Sequence, residues 1–231
     1  MARINKAQLT KLEILQVASR LFLENGYSET SVRAIGNELD MSTGNITFYY
    51  PTKEHVLAEL VEILCEFQWD LMGEETKEDY SLVMAVCLEL ATMAAICEED
   101  AVARDVYRAS YTSSLCLEII QRNDAERARK VFGSYCPDWT DEQFREAEVQ
   151  VSGIEYAALM TSTDVLPLEH RVSSALNAIL MIFGVPEETR KTKIARVMKM
   201  DFRRLARRTL KEFKLYVKRA HEQTLEELLR A

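Results

Sequence analysis

The chain has 231 residues, 48% of them hydrophobic, so it can bury a sizeable core as one or two compact units. Its formal net charge is −8, and no apolar run approaches the length of a membrane span. The first residues, MARINKAQL, lack the apolar stretch of a secretory signal, so we expect a cytoplasmic protein. Five cysteines without CxxC spacing and three scattered histidines favour buried, reduced thiols and predict neither a metal site nor a cofactor.

The start of the chain predicts an amphipathic helix. Only seven glycines and four prolines interrupt 231 residues, and alternating β-branched residues are scarce, which favours an all-α fold. Leucines and isoleucines recur at helical spacing from Lys6 to Glu24. Gly26 follows at the position where a helix commonly stops in a left-handed conformation. The first element is therefore a helix that ends at a Gly-Tyr turn.

The next stretch, TSVRAIGNELDMSTGNITFYYPTK from Thr30 to Lys53, predicts two short helices joined by a tight turn. The first helix has one apolar face, and Asp40 in the connection tolerates left-handed backbone angles. Ser42 is placed to cap the second helix, from Thr43 to Tyr49, with its hydroxyl oxygen. This is the pattern of a helix-turn-helix, whose second helix enters the major groove of DNA.

With the helix before it, this stretch resembles the DNA-binding domain of the tetracycline-repressor (TetR) family. The resemblance covers about residues 8–60, and Asp40, Thr47 and Phe48 depart from the usual Gly, Tyr and His of the family. The matching residues are Phe22, Gly26, Tyr27, Thr30, Val32, Ile35, Ser42, Gly44, Ile46, Tyr49, Tyr50 and Lys53. The resemblance implies a three-helix DNA-binding domain at 1–52 and a larger helical bundle at 53–231 for effector binding and dimerisation.

The motif suggests which side chains contact DNA. We expect Tyr49 and Lys53 to bind phosphates, because they sit at the end of the second helix and the start of the next. Thr43 and Asn45 are expected to face base edges. The full predicted set is Arg3, Lys6, Thr30, Arg33, Ser42, Thr43, Asn45, Thr47, Phe48, Tyr49 and Lys53.

The remaining chain predicts further helices. One begins at Pro51 and Thr52, another spans 80–97, and the rest cover 101–112, 114–132, 141–163, 168–183 and 187–229. The helices at 141–163 and 168–183 are apolar on wide faces, for which ordinary core packing is one interpretation. The resemblance implies instead a four-helix dimer interface, and a palindrome reader also needs a two-fold partner. The predicted interface residues are Val151, Ile154, Ala158, Val172, Leu176, Ile179 and Phe183.

Aromatic and methionine residues of the middle segment are candidates for an effector pocket, although each alone is commonly plain core. They are Phe67, Met84, Met93, Tyr107, Tyr111, Phe132 and Tyr156. Residues 54–189 carry 9 basic and 27 acidic side chains, a net charge of −18. This acidic segment favours a cationic or neutral lipophilic effector over an anionic one.

The last predicted helix has an apolar stripe opposite a basic face, and residues 190–231 carry a net charge of +9. Such a helix either docks near the acidic middle with a solvated basic face or binds a membrane surface or nucleic acid.

The leading hypothesis is a homodimeric, ligand-responsive repressor released from a pseudo-palindromic double-stranded DNA operator by an unknown small molecule, with no membrane partner. The alternatives are a helical adaptor or membrane-surface module, and an enzyme. The enzyme is disfavoured because HExxH, GxSxG and phosphate-binding glycine loops are absent.

Overall fold

The computed structural model describes residues 6–75 and 81–230, and within these ranges the chain forms helices and no strand. This confirms the all-α prediction. The helices are α1 (Lys6–Asn25), α2 (Val32–Glu38), α3 (Thr43–Tyr49), α4 (Lys53–Glu75), α5 (Leu82–Glu99), α6 (Ala101–Thr112), α7 (Ser114–Phe132), α8 (Asp141–Met160), α9 (Leu168–Ile182), α10 (Glu187–Val197) and α11 (Phe202–Arg230). None of the helices in these residues is long and apolar enough to cross a membrane.

Short polar residues and one glycine set the bounds of the first helices. Gly26 has φ +96°, so α1 ends in the left-handed conformation expected for it. Ser31 caps α2 by accepting a hydrogen bond from the Ala34 N–H at 3.0 Å. Ser42 caps α3 in the same way, which confirms its predicted role.

Helix α5 lies at the centre of the larger bundle. Its residues are apolar on nearly all sides, and most of them are buried against α6, α8, α9, α10 and α11. A helix that is hydrophobic all round has to be surrounded by other helices. The five cysteines are all buried and form no disulfide. The chain is therefore built as a helical bundle around α5, and α1 to α3 pack at one end of it.

Helices α8 and α9 bury the apolar residues that the sequence assigned to a dimer interface. Val151, Ala158, Val172, Leu176, Ile179 and Phe183 are at most 4% exposed within the single chain. Their side chains fill the core, where the Phe132 and Phe183 rings stack at 4.3 Å, and Ile154 is half-buried. The six buried residues fit the core-packing interpretation within one chain, and the half-buried Ile154 stays a prediction for the interface. The outward side of the pair carries Val149, Gly153, Ala157, Ser174, Asn177 and Met181.

The single helix predicted at 187–229 is in fact two, α10 and α11, separated at residues 198–201. The Asp201 carboxylate accepts a hydrogen bond from the Arg204 N–H at 3.0 Å and so caps a new helix. Asp201, an N-cap residue inside the predicted helix, was the sequence signal for this break. The continuous apolar stripe concealed it.

The basic face of α11 confirms the docked interpretation. Arg203 pairs with Glu98 at 2.8 Å and with Glu169 at 3.0 Å. Arg207 pairs with Glu99 at 2.8 Å. Helix α11 lies along α1, α4 and α5, and two of its arginines are paired with the acidic middle of the same chain.

Candidate functional site

The turn between α2 and α3 depends on two unusual backbone positions. Asp40 has φ +52°, and the Met41 N–H donates to the Gly36 carbonyl at 2.8 Å. A Cβ atom on Gly36 would lie only 2.5 Å from the Met41 carbonyl oxygen. Glycine therefore permits the close approach of the two helices, and the short polar Asp40 accepts the left-handed turn.

Helix α3 is held by one face and presents the other to solvent. Ile46 and Tyr50 are buried in the core of the first three helices. Thr43 and Asn45 are exposed, and 80% of Phe48 is exposed. The three exposed side chains lie on a rigidly seated helix, which is the arrangement that direct readout of base edges requires.

Two predicted DNA contacts are internal. Thr30 is 2% exposed, and its hydroxyl donates to the Gly26 carbonyl at 2.7 Å. The Lys53 ammonium donates to the carbonyls of Tyr27 at 2.6 Å and Thr30 at 2.8 Å. Burial lowers the pKa of Lys53, which the charge of Asp105 partly offsets. Thr30 and Lys53 therefore brace the loop between α1 and α2, and these internal contacts give no support to their predicted role in DNA binding.

The other residues predicted to contact DNA differ in how exposed their side chains are. Lys6 and Arg33 are exposed, whereas Tyr49 is half-buried. Ser42 and Thr47 use their hydroxyls within α3, Ser42 as its cap and Thr47 as a donor to the Thr43 carbonyl at 3.1 Å. Arg3 lies outside the described residues.

Helix α6 is bonded to the loop that precedes α2 and α3. These two helices are called the DNA reader, because they form the helix-turn-helix. The Asp105 carboxylate accepts hydrogen bonds from the Ser28 N–H at 2.6 Å and the Ser28 hydroxyl at 2.7 Å, and it pairs with Arg108. Burial opposes ionisation of Asp105, but the bonds from Ser28 and Arg108 outweigh it and lower its pKa. A Cβ on Gly26 would approach this carboxylate to 3.1 Å. The Asp105 carboxylate of the larger bundle thus holds the turn between α1 and α2 by hydrogen bonds.

Two adjoining cavities of about 60 Å³ each lie inside the larger bundle. The first cavity is almost entirely apolar and lies between α4, α5, α6 and α11. The second is more polar and extends towards α7, α8 and α9. Both are lined by Leu64, Gln68, Glu89, Met93, Tyr107 and Ser110. Helix α6 walls both cavities and also carries Asp105, so it joins the interior of the bundle to the DNA reader.

Five of the seven predicted pocket residues line these cavities. Phe67 lines the first, Tyr111 and Phe132 line the second, and Met93 and Tyr107 line both. Met84 and Tyr156 line neither cavity, so the structure gives no support to their predicted role. Met84 is fully buried in the packing of α5, and the Tyr156 ring packs 6.3 Å from that of Tyr111.

The second cavity also contains charged residues that the sequence prediction missed. Arg127 pairs with Glu89 and, at 3.0 Å, with Asp124. The Tyr111 hydroxyl donates to Glu155 at 2.9 Å. Burial raises the pKa of Asp124 and Glu155, and neighbouring carboxylates add to the effect. The only sequence signal was spacing, since Glu148, Val151 and Glu155 recur at intervals of three and four on one face of α8.

Comparison with known proteins finds sequence relatives for the first part of the chain. Residues 14–60 match the family model for bacterial regulatory proteins of the tetR family. A stretch of 53 residues is 38% identical to the HTH-type transcriptional regulator QacR of Staphylococcus aureus (strain Mu50 / ATCC 700699). That match covers 23% of this chain and 28% of QacR, so the chain matches under a third of that relative's length.

Solved structures extend the likeness of the fold over most of the chain. RolR in complex with resorcinol superposes with a TM-score of 0.66 at 18% identity, covering 84% of this chain and 97% of RolR. RolR without ligand gives a TM-score of 0.60 at 17% identity, covering 80% of this chain and 96% of RolR. Residues 14–60 therefore match a tetR-type DNA-binding segment, and most of the chain shares the fold of RolR.

Proposed function

We propose that this protein is a homodimeric repressor that leaves a pseudo-palindromic operator when a small molecule occupies the cavities of the larger bundle. Residues 1–52 form the DNA-binding part, and 53–231 form the effector-binding and dimerisation part. One observation carries the proposal: α6 walls both cavities and holds Ser28 through Asp105. A ligand that moves α6 would therefore move the loop that positions the reader. Linkage requires the ligand to prefer the arrangement that cannot bind DNA.

The exposed face of α3 supports the DNA-binding half of the proposal. Thr43 and Asn45 would meet base edges, and Phe48 would make apolar contact with a thymine methyl group. The exposed Lys6 and Arg33 would bind phosphates. Lys53 and Thr30 are left out of this set, because their polar atoms are already bonded within the protein.

The outward side of α8 and α9 supports dimerisation. Val149 is 59% exposed and Met181 is 55% exposed, although both are apolar. Gly153 and Ala157 lie on the same side of α8, where small residues let a second helix approach closely. A two-fold partner seated here would place two copies of α3 on successive turns of DNA. Light scattering together with gel retardation of genomic fragments tests this: a monomer that retards no fragment at low salt contradicts the proposal.

Asn45 is expected to specify one base. Asn45→Ala should cost about 1–3 kcal/mol on the operator and relax the preference at one position, because it removes a bidentate contact to a base edge. Arg33→Ala is the matched comparison, and it should weaken all sequences alike and flatten the salt dependence by about one unit. Binding titrations on the operator and on random DNA measure both effects. Equal losses on the two DNAs for Asn45→Ala would remove it from base readout.

Asp105 is expected to couple the cavities to the reader. Asp105→Asn keeps the shape of the side chain but loses the charged acceptor for Ser28 and Arg108. A compound that releases the native protein from its operator should still bind this variant, but with much less effect on operator affinity. Couplings of this kind amount to about 1–3 kcal/mol. Thr112→Ala, at the far end of α6, is the control and should respond as the native protein does. Full release of Asp105→Asn would place the coupling elsewhere.

A further inference from the structure

The acidic residues of the second cavity outnumber its basic ones. Glu89, Asp124, Glu148 and Glu155 line it, and in the part of the chain that the structure describes Arg127 is the single cation among the lining residues. Arg127 is committed to Glu89 and Asp124. Two carboxyl groups of α8 therefore face the cavity without a basic partner.

Glu148 is the decisive group. It is 4% exposed, lines the cavity, and has no hydrogen bond or ion pair within residues 6–75 and 81–230. Burial raises the pKa of Glu148, and repulsion from Asp124 and Glu155 raises it further. Both effects favour the neutral form of Glu148. A buried carboxyl with nothing to bind is strongly unfavourable unless a partner can enter.

The surroundings of this acid complete the description of the cavity. Helix α4 contributes the Cys65 thiol, α6 contributes the phenols of Tyr107 and Tyr111, and α9 presents only the apolar Ile179 and Phe183. The aromatic rings of α6 and of Phe132 on α7 are also part of the wall. Ring faces attract cations, and they pack flat against planar ligands. The small volume of the two joined cavities favours a compact ligand with one ring.

We propose that this cavity binds a compact aromatic cation, such as an amidine or a primary amine on a single ring, with Glu148 and Glu155 receiving its positive charge. The inference rests on the proposed function, because this cation is the class of effector that would release the operator. The planar ring lies against the tyrosines of α6. The N–H groups of the cation donate to the carboxyl oxygens of α8.

Binding of such a cation is linked to protons. One neutral glutamic acid ionises as the cation enters, so a proton leaves to solvent and the cation takes its place as the balancing charge. Affinity should therefore rise with pH, while the ligand itself stays protonated. A neutral ligand of the same shape would show no such dependence. Arg127 stays paired with Glu89 and Asp124 throughout. Binding of the cation therefore adds one new ion pair to the cavity.

Calorimetry with benzamidine, benzamide and benzoate tests the proposal on the full chain without DNA. The three probes share one ring and differ in charge. Benzamidine should bind about 100-fold more tightly at pH 8 than at pH 6, because one released proton changes the affinity about tenfold per pH unit. Benzamide and benzoate should bind at least about tenfold more weakly than benzamidine at pH 8. Proton release is measured by repeating the titration in buffers of different ionisation enthalpy. Equal binding of benzamidine and benzamide, or tighter binding of benzoate, would overturn the proposal.

Glu148→Gln is the matched variant. It should lose the pH dependence and bind benzamidine about tenfold more weakly at pH 8, whereas Glu146→Gln on the exposed side of α8 should bind as the native protein does. Folding is checked by melting at pH 8. The raised pKa of Glu148 means that its contribution to stability falls as pH rises above the ordinary range of a carboxyl, so the glutamine variant should melt no lower. Native benzamidine affinity in Glu148→Gln would exclude the site.

Gel retardation separates this inference from the proposed function. Benzamidine that binds with proton release but leaves DNA bound contradicts effector control and leaves the cation site standing. Release of DNA by a neutral phenol such as resorcinol, with no binding of benzamidine, overturns the cation site and leaves effector control standing.

Discussion

Replacing Gly36 with alanine should abolish specific DNA binding while the larger bundle stays folded. The added Cβ would lie 2.5 Å from the Met41 carbonyl oxygen, which is a backbone atom and cannot rotate away as a side chain would. Relief requires α2 and α3 to separate, at a cost of about 1–3 kcal/mol for overpacking. That cost is concentrated in the two short helices that form the DNA reader, because neither has a long packed face to resist the strain.

Hydrogen exchange and gel retardation measure the two parts of this expectation. Amides of residues 32–49 should lose protection in Gly36→Ala, and those of α5 and α9 should keep it. Gly44→Ala is the folding control, since its Cβ would meet only the Ser42 hydroxyl at 3.9 Å and helix propensity favours alanine by about 0.5–1 kcal/mol. An operator affinity within about twofold of native for Gly36→Ala would show that the turn is not rigid.

Arg171→Met should give the largest loss of stability of any charge substitution on α9. Arg171 is 5% exposed, and its guanidinium donates to the carbonyls of Leu166 at 3.0 Å and Ala158 at 2.8 Å. It also pairs with Glu98 at 2.6 Å. Methionine fills the space but leaves the buried Ala158 carbonyl without its donor, removes the bond to Leu166, and takes one of its two arginine partners from Glu98, which keeps Arg203. Breaking a buried pair in this way costs about 3–5 kcal/mol.

Urea unfolding followed by circular dichroism measures this loss, which corresponds to a fall in melting temperature of about 10 °C for a chain of this size. Arg207→Met is the matched control, because Arg207 is exposed and its pair with Glu99 is worth at most about 1 kcal/mol. Since Arg171 also ties α8 to α9, its loss should weaken the proposed dimer as well. Equal effects of the two substitutions would mean that burial does not set the value of these ion pairs.

Local chemistry explains which elements could be predicted. Helices α6 and α7 have the bounds expected from the sequence, because Asp100 and Ser113 cap them with side-chain acceptors that a reader of the sequence can recognise. The stop at Gly26 and the left-handed Asp40 were also predictable, since each depends on its own backbone angles. The capping box of Thr140 and Gln143 fixes the start of α8 for the same reason.

Longer-range choices could not be predicted from spacing. Helices α8 and α9 are apolar over wide arcs, so periodicity did not reveal which arc faces the core of the same chain. Lys53 was assigned to phosphate from its place after the reader, but its ammonium donates hydrogen bonds to two carbonyls 23 and 26 residues earlier. Glu148 and Glu155 belong to the residue type most often found in solvent, and only the packed bundle shows that they face a cavity.

The positions of the buried thiols make them probes for the unfolding of one part of the protein. All five cysteines lie in α4, α5, α7 and the segment after α7, and burial raises the pKa of each, to about 12 for Cys87 and Cys97. Alkylating reagents attack the thiolate, so the native bundle should resist them, and the rate of labelling should follow the opening of the bundle. None of the five lies in α1, α2 or α3. The rate of alkylation therefore measures the unfolding of the larger bundle and does not respond to local unfolding of the DNA reader. The two events can be followed separately in one molecule.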